Sequence, residues 1–350
     1  MTGSLKGVRV AVDAMGGDFG VSVAVAGSVA AARHYGLSLI LVGREAEVKA
    51  QLAKASIQGL DVRIVDAQDE VGMAEKVGRT TLKKRSSILL AIELVEKGEA
   101  DAFFSAGNTA ACWTIAKMTF GTLPEIDRPA LTAVVPNIKG KTVLLDVGAN
   151  ATCKPRHLEE FAVMGSLYAE EVLKIKNPRI GLMSMGEEES KGTDLTREVH
   201  AALKESHLNF IGNVEGHEIF NGEADVVVMD GFTGNVILKS SETLASSIVF
   251  MLKEEIKKRP IAMAGALLAK GAFNALRKRI DPREVGGAPL LGVAGCCVIG
   301  HGKSDEMAIS EGIRTAGEFS KSGINAKITS EVMRLARIED AAASAAGATS

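Results

Sequence analysis

The sequence predicts an α/β fold in which helices cover both faces of a largely parallel β-sheet. Apolar runs that end abruptly in a loop of Gly, Asn, Asp or Ser, followed by a helical stretch, recur along the chain. Near-continuous apolar strands of this kind are typical of parallel sheets buried on both faces. The 37 glycines against 8 prolines, with 4% aromatic residues, favour many tight turns over a β-sandwich.

The predicted strands and helices alternate. The strand-like runs are VRVAVD, LSLILVG, ADAFFS, TVLLDVG, RIGLMS, ADVVVMD and CCVIG. Between them lie helical stretches such as EVKAQLAKA, SSILLAIELVEKG, HLEEFAVMGSLYAEEVLK and DLTREVHAALKE, the last with Thr193 or Asp194 placed to cap it. Ligands of such sheets bind outside the carboxyl ends of the strands, so we expect the glycine-rich loops to meet there. We expect one domain over 1–345 and a disordered tail over 341–350, which is small and uncharged.

Composition excludes several classes of function. A net charge of -2 gives no basic field for nucleic acid. The cysteines have no metal-ligand spacing, so we expect the reduced thiols of a cytoplasmic protein: Cys112, Cys153, Cys296 and Cys297. The N-terminus lacks the apolar segment of a signal peptide, and no apolar run is long enough to span a membrane.

The glycine-rich loops indicate a site for a small anion. Gly16 and Gly17 follow the first strand, and glycine lets backbone N–H groups approach an anion closely, next to the positive end of a helix. A single such loop is more often only a turn between strand and helix, but its recurrence favours phosphate binding. The aspartates in these loops, Asp13, Asp146 and Asp230, are expected to cap turns or to hold basic and amide side chains in place.

The usual nucleotide and metal motifs are missing. VIGHGKS resembles the end of a nucleotide-binding P-loop, but Cys297 stands where that motif needs glycine. This segment still predicts a strand, a glycine loop and a helix capped by Ser304. No GxGxxG follows the first strand, and GxSxG and HExxH are missing from the chain. We therefore expect no cofactor and no metal.

A set of motifs resembles the PlsX family, the phosphate acyltransferases of bacterial phospholipid synthesis. In order, the motifs are VAVDAMGGD, SAGNT, RPAL, LLDVGAN, GEEESKG, NFIGNVEG, DGFTGNVILK, GGAPLLGV and HGKS. The resemblance implies transfer of a long-chain fatty acyl group from acyl carrier protein to orthophosphate, giving acyl phosphate for a membrane glycerol-3-phosphate acyltransferase. It also implies a homodimer and the three-layer α/β/α fold of phosphotransacetylases and of isocitrate and isopropylmalate dehydrogenases.

This chain departs from the family pattern at two positions. Phe19 stands where the family usually has histidine, and Ala110 follows Thr109 where the family often has glycine. Phe19 puts in doubt any mechanism that needs a histidine base in that loop. Ala110 matters less, because it is expected to start a helix.

The implied reaction demands little proton transfer, so positioning and charge stabilisation dominate. Catalytic roles are predicted for Lys191, Asn235 and His301, the first two as stabilisers of phosphate and oxyanion. Phosphate contacts are predicted for Gly16, Gly17, Asn108, Thr109 and Arg128. A structural role stays open for each of three side chains. Lys191 could only form an ion pair with a neighbouring glutamate (187–189), and His301 could only make a hydrogen bond within its turn. Arg128 could be the partner of a loop aspartate.

The segment 239–280 breaks the strand pattern and predicts a protruding helical hairpin. One helix is expected from about Glu242 to Lys258 and a second after Pro260. The second helix combines apolar and basic residues, namely Met263, Leu267, Leu268, Lys270, Arg277 and Lys278. Such helices lie at a membrane surface or meet an acidic partner such as acyl carrier protein, although packing in a dimer is equally common. We expect a peripheral membrane protein.

Three alternative functions compete with acyl transfer from acyl carrier protein to phosphate. A phosphotransacetylase-like enzyme would use acyl-CoA as the donor, which the long amphipathic arm and the full motif set disfavour. A non-catalytic scaffold for acyl carrier protein and membrane would not need the glycine loops. A dehydrogenase on the same fold would bind nicotinamide, for which the sequence has no motif.

Overall fold

The computed structural model describes residues 4–280 and 286–347. The described residues include a sheet of 11 strands. The strands are β1 (Arg9–Asp13), β2 (Ser38–Gly43), β3 (Val62–Asp66), β4 (Ala102–Ser105), β5 (Ala130–Pro136), β6 (Lys141–Leu145), β7 (Ile180–Met183), β8 (Phe210–Val214), β9 (Val226–Val228), β10 (Ala288–Leu291) and β11 (Cys297–Ile299).

Helices flank this sheet. They are α1 (Gly20–Tyr35), α2 (Glu45–Leu52), α3 (Arg79–Lys83), α4 (Ser87–Glu96), α5 (Thr109–Phe120), α6 (Pro155–Glu171), α7 (Asp194–Glu205), α8 (Gly216–Asn221), α9 (Gly231–Lys257), α10 (Pro260–Leu268), α11 (Lys270–Ile280), α12 (Glu306–Ser322) and α13 (Ile324–Gly347). The side chains of Arg277 and Lys278 lie outside the described part of the chain, as do residues 348–350.

The sheet has two halves that run in opposite directions. The strand order is β3-β2-β1-β4-β11-β10-β5-β6-β9-β7-β8. β1 to β4 and β11 are parallel to one another, and so are β6 to β9. At the centre, β10 is antiparallel to β11 and to β5, and β5 is antiparallel to β6. The carboxyl ends of the two parallel groups therefore lie at opposite edges, which corrects the expectation that all glycine loops meet at one edge.

Both faces of the sheet are buried, which gives the three layers predicted. Successive residues of a strand point to opposite faces, and Phe103 and Phe104 in β4 are both buried, each in a different apolar core. The core around Phe104 is covered by α1, α6 and α12, and the core around Phe103 by α4 and α5. The α/β/α fold class predicted from the apolar runs is confirmed.

The observed N-terminal capping residue agrees with the sequence prediction at α7 and differs from it at α12. The Thr193 side chain accepts a hydrogen bond from the Thr196 N–H and caps α7, as predicted. The cap of α12 is Asp305, which accepts from the Ala308 N–H at 3.0 Å. The prediction of Ser304 is wrong by one residue. Ser304 is buried in the turn before α12, where its N–H donates to the His301 carbonyl at 2.9 Å.

The arm differs from the expected pair of helices. Helix α9 is 27 residues long and begins at Gly231, not near Glu242, because the Asp230 carboxylate accepts from the Thr233 N–H at 2.9 Å and caps it. The chain turns before Pro260, and the expected second helix is divided at Ala269 into α10 and α11. None of the helices in the described ranges is long and apolar enough to cross a membrane.

Candidate active site

The loops that follow β1, β4 and β11 form a first loop cluster, comprising residues 13–19, 105–109 and 300–305. Asp13 holds two of these loops together: its carboxylate accepts from the Ser105 hydroxyl at 2.6 Å and from the Met15 N–H at 3.1 Å. Asp13 is buried, and burial raises the pKa of its carboxyl, opposed by the Ser105 hydrogen bond. Asp13 therefore positions the cluster and does not face solvent.

Close approach of backbones explains the glycines of this cluster. A Cβ on Gly16 would lie 2.7 Å from the Gly107 nitrogen, so no other residue fits without a shift. Gly17 has φ +99°, a conformation that glycine adopts readily. The neighbouring Asp18 N–H donates to the Gly302 carbonyl at 2.8 Å and ties the first loop to the third.

Asn108 is the cap of α5, and its amide is fully engaged. Its side-chain oxygen accepts from the Ala111 N–H at 3.1 Å. Its NH₂ group lies 2.9 to 3.2 Å from the carbonyls of Gly72, Met73 and Glu75. A phosphate contact of this amide would require loss of these bonds, so it stays a prediction. Thr109 is exposed at the start of α5, where helix amides lack partners within the helix.

His301 makes the turn hydrogen bond that the sequence left open as an alternative. Its Nδ1 accepts from the Lys303 N–H at 3.1 Å. A neutral imidazole with an accepting Nδ1 carries its proton on Nε2. His301 is exposed, so this Nε2–H is available to donate to a ligand. The structural bond and the predicted donor role are compatible.

The loops that follow β6, β9 and β7 form a second loop cluster, comprising residues 146–153, 229–235 and 184–192. The fully buried Asp146 carboxylate organises its first loop. It accepts from the backbone N–H groups of Leu131, Gly148, Ala149 and Asn150, and from the Asn150 amide. Burial raises the pKa of Asp146, and these hydrogen bonds oppose the rise.

Asn235 lies over this loop. A Cβ on Gly148 would lie 3.8 Å from the Asn235 side-chain oxygen. A Cβ on Gly234 would lie 1.9 Å from the Asp146 carbonyl oxygen, so glycine is needed for α9 to pack this tightly. The part of the chain that the structure describes gives the Asn235 amide no hydrogen-bond partner. It is free to contact a substrate.

Arg128 and Cys153 lie beside the same loop. The Arg128 guanidinium donates to the Thr152 carbonyl at 3.4 Å, and no described carboxylate forms an ion pair with it. Arg128 is therefore placed as a cation beside this loop, and its contact with an anion stays a prediction. Burial raises the pKa of the Cys153 thiol to about 11, which leaves it protonated and weakly nucleophilic near neutral pH.

Lys191 lies in the loop after β7. Its backbone N–H donates to the Glu188 carbonyl at 2.9 Å, and its Cγ lies 3.0 Å from the Cβ position of Gly186. Its ammonium group has no carboxylate within ion-pair distance in the described ranges. Glu189 instead pairs with Lys204. The alternative in which a neighbouring glutamate neutralises Lys191 does not describe this structure.

Comparison with known proteins identifies the family. A family model described as a fatty acid synthesis protein matches residues 8–327. The phosphate acyltransferase of Acidobacterium capsulatum is 47% identical over 325 residues, covering 92% of this chain and 96% of the relative. That of Aquifex aeolicus is 47% identical over 322 residues, again covering 92% and 96%. The chain belongs to the phosphate acyltransferase family. The predicted PlsX membership and enzyme class are confirmed.

Solved structures support the fold of this phosphate acyltransferase. A phosphotransacetylase from Streptococcus pyogenes superposes with a TM-score of 0.63 at 18% identity, covering 91% of this chain and 96% of the other. A 4-hydroxythreonine-4-phosphate dehydrogenase from Burkholderia phymatum gives a TM-score of 0.50 at 16% identity, covering 89% and 98%. The likeness to phosphotransacetylases and dehydrogenases predicted for the fold is confirmed.

The predicted site residues of this phosphate acyltransferase divide between the two clusters. The first holds Asp13, Gly16, Gly17, Asn108, Thr109 and His301. The second holds Asp146, Lys191, Asp230 and Asn235, with Arg128 beside its first loop. Because the clusters follow strands of opposite direction, loop counting along the sequence could not reveal this division.

Helix α9 connects the two clusters across one face of the sheet. It packs against β5 and β6, with Ile237 and Leu238 against the core that contains Phe103. Two turns beyond Asn235, at a rise of about 10 Å, Glu242 lies within electrostatic reach of His301. Burial raises the pKa of Glu242, and the electrostatic influence of the nearby His301 side chain opposes this rise. The sequence reading missed Glu242, although its spacing of seven from Asn235 places both on one side of a helix.

Proposed function

We propose that this phosphate acyltransferase transfers a long-chain fatty acyl group from acyl carrier protein to orthophosphate, giving acyl phosphate for phospholipid synthesis. The family match over residues 8–327, with relatives named phosphate acyltransferases, is the observation that carries the proposal. The free side chains of Lys191 and Asn235, and the glycine loops on either side of α9, support it.

The transfer is proposed to take place along α9, between the two clusters. A phosphate oxygen attacks the thioester carbonyl carbon, a carbon–oxygen bond forms, and the carbon–sulfur bond breaks with its electron pair on sulfur. The Lys191 ammonium and the Asn235 amide stabilise the phosphate and the tetrahedral oxyanion from one end. The Nε2–H of His301 at the other end donates to phosphate or to the departing sulfur.

The backbone of the first cluster is proposed to hold phosphate. Gly16 and Gly17, in the loop after β1, are proposed to contact phosphate through their backbone. Thr109 supplies an N–H group at the start of α5, where the helix dipole favours negative charge. Arg128 adds a cation near the second cluster. Asp13, Asp146 and Asp230 contribute indirectly, because each fixes the loop or helix start that carries a contact.

The arm is proposed to serve both dimer formation and membrane contact. No residue of α10 is buried, and Leu268 is 90% exposed. Exposed apolar residues also line α9, including Leu244, Ile248 and Phe250. We assign the apolar side of α9 to contact with a partner subunit. The tip with Met263, Leu267 and Leu268 is assigned to contact with a membrane. There acyl phosphate passes to a membrane glycerol-3-phosphate acyltransferase. Lys270 and the basic end of α11 suit an acidic carrier protein.

Kinetics with two donors test the proposal. Thiol release is measured with long-chain acyl carrier protein and with acyl-CoA, each with and without phosphate, and the acyl product is trapped with hydroxylamine. We expect phosphate-dependent release with preference for the carrier protein, and a loss of at least about 100-fold in Lys191→Ala and Asn235→Ala, since a single oxyanion donor is worth about that much.

Lys204→Ala is the matched control, because Lys204 lies nearby but pairs with Glu189. Preference for acyl-CoA would favour the phosphotransacetylase-like alternative. Release that does not depend on phosphate would contradict the proposed reaction. Full activity of both site variants would keep the reaction and discard the site.

A further inference from the structure

A cluster of potential metal ligands lies outside the residues assigned to the reaction. It consists of Glu187, in the loop after β7, and of His217 and Glu218, in α8, and we call it the Glu-His-Glu cluster. Because β7 and β8 are parallel neighbours, the segments that follow them meet at one edge of the sheet. One ligand atom from each of the three side chains lies within 4.8 Å of the other two.

Glu218 uses one of its two carboxylate oxygens within the protein. Glu218 is only 7% exposed. One of its carboxylate oxygens accepts from the Glu215 N–H at 2.6 Å, which is a cap of α8. Among the described residues no hydrogen-bond donor pairs with its other carboxylate oxygen, which solvent can reach. A carboxylate oxygen that solvent reaches and that has no protein donor is free to coordinate a cation.

The charge around the cluster is not balanced by protein cations. The Glu215 carboxylate lies 3.7 Å from His217 Nδ1, so three carboxylates surround one imidazole. No lysine or arginine within the described ranges forms an ion pair with Glu187, Glu215 or Glu218. By contrast, Glu189 in the same loop is paired with Lys204. The cluster therefore has the donor set and the negative charge to attract a divalent cation.

We propose that the Glu-His-Glu cluster binds a first-row divalent cation such as Zn²⁺, with Glu187, His217 and Glu218 as protein ligands and water completing the shell. Two carboxylates with one imidazole suit Zn²⁺ and its neighbours, whereas Mg²⁺ and Ca²⁺ prefer oxygen alone. Ligand atoms on one zinc ion lie at most about 4.2 Å apart. Glu187 and His217 are exposed, so their side chains can close the small remaining distance.

Cation binding would fix the loop that carries Lys191. The Lys191 Cγ and a Glu188 carboxylate oxygen each lie 3.0 Å from the Cβ position of Gly186, next to Glu187. A bond from Glu187 through the ion to α8 would tie this loop to the neighbouring segment of the sheet. Binding itself does not depend on the proposed acyl transfer, so the two proposals fail separately.

Cobalt titration of the full-length protein tests the site, because Co²⁺ bound by nitrogen and carboxylate ligands absorbs visible light. We expect one saturable equivalent, displaced by Zn²⁺, and at least about tenfold weaker binding in Glu187→Gln and in His217→Gln. Glu189→Gln is the matched control from the same loop and should bind like the native chain. Circular dichroism of each variant verifies the fold.

Several results would overturn the site. Lack of saturable Co²⁺ and Zn²⁺ binding by the native chain would do so directly. Equal affinity in folded His217→Gln would place the bound ion elsewhere, with the same consequence. Weakened binding in Glu189→Gln to the same extent would show that only general negative charge matters, and would also contradict the assignment.

Discussion

Replacement of Asp146 by alanine is expected to destabilise the protein strongly. The buried carboxylate accepts five hydrogen bonds between 2.6 and 3.1 Å, from the backbone N–H groups of Leu131, Gly148, Ala149 and Asn150 and from the Asn150 amide. A hydrogen bond to a charged group contributes about 1.5 to 3 kcal/mol. The cost of removing the buried carboxylate from water cancels several kcal/mol of this hydrogen-bond contribution. We therefore expect a net loss of about 4 kcal/mol in the free energy of unfolding.

Urea unfolding followed by circular dichroism, with reversibility verified by refolding, measures this loss. Asp194→Ala is the control, because its side chain is 98% exposed, and a change below about 1 kcal/mol is expected there. Phosphate-dependent turnover should also fall in Asp146→Ala where it remains folded, since Gly148 would no longer be held beneath Asn235. A change below about 1 kcal/mol for Asp146→Ala would refute the assignment of this carboxylate as the organiser of its loop.

Three further predictions address other parts of the molecule. Gly16→Ala places a Cβ 2.7 Å from the Gly107 nitrogen, so turnover should fall at least about tenfold with an unchanged circular dichroism spectrum; native activity would contradict the need for close backbone approach. Burial raises the pKa of Asp225, but Arg179 outweighs this and lowers the pKa below its usual value. The ion pair therefore stabilises the fold above the pKa that Asp225 has in the unfolded chain, and this contribution is lost as the pH falls through its pKa in the folded protein. Urea unfolding should show that the loss of stability in Arg179→Met shrinks between about pH 5 and pH 3. A loss of stability that stays constant over this range would count against the ion pair. Since burial raises the pKa of Cys153 to about 11, iodoacetamide should label it slowly at neutral pH and faster as the pH approaches that value, and rapid labelling at pH 7, measured by mass spectrometry, would contradict its burial.

The sequence predicted the elements better than their directions. Every strand-like run named from the sequence forms a strand, because buried apolar residues followed by a turn leave a clear pattern. β3, β5, β8 and β10 were not among these runs, and β5 and β10 reverse the direction at the centre of the sheet. Pairing sense depends on contacts between segments distant in sequence, here Leu131 and Leu290. The division of the site between two edges of the sheet could not be inferred without knowing the pairing sense of β5 and β10.

In the candidate site, the sequence predicts the helix-capping roles of polar residues but not their contacts with distant segments. Asn108 and Asp230 each precede a helix and cap it, a role that residue type and position predict. The three carbonyls that bind the Asn108 amide come from the segment 72–75, and nothing local in the sequence connects the two. The electrostatic influence of His301 on Glu242 likewise follows from the packing of α9 on the sheet, which periodicity alone does not give.

The most direct test of acyl transfer to phosphate is ³¹P NMR of the protein with long-chain acyl carrier protein and orthophosphate. The account predicts an acyl phosphate resonance that grows as free carrier thiol appears, and that is missing with Lys191→Ala but present with Lys204→Ala. Release of free fatty acid with an unchanged orthophosphate signal would show hydrolysis instead, and would contradict the proposed reaction.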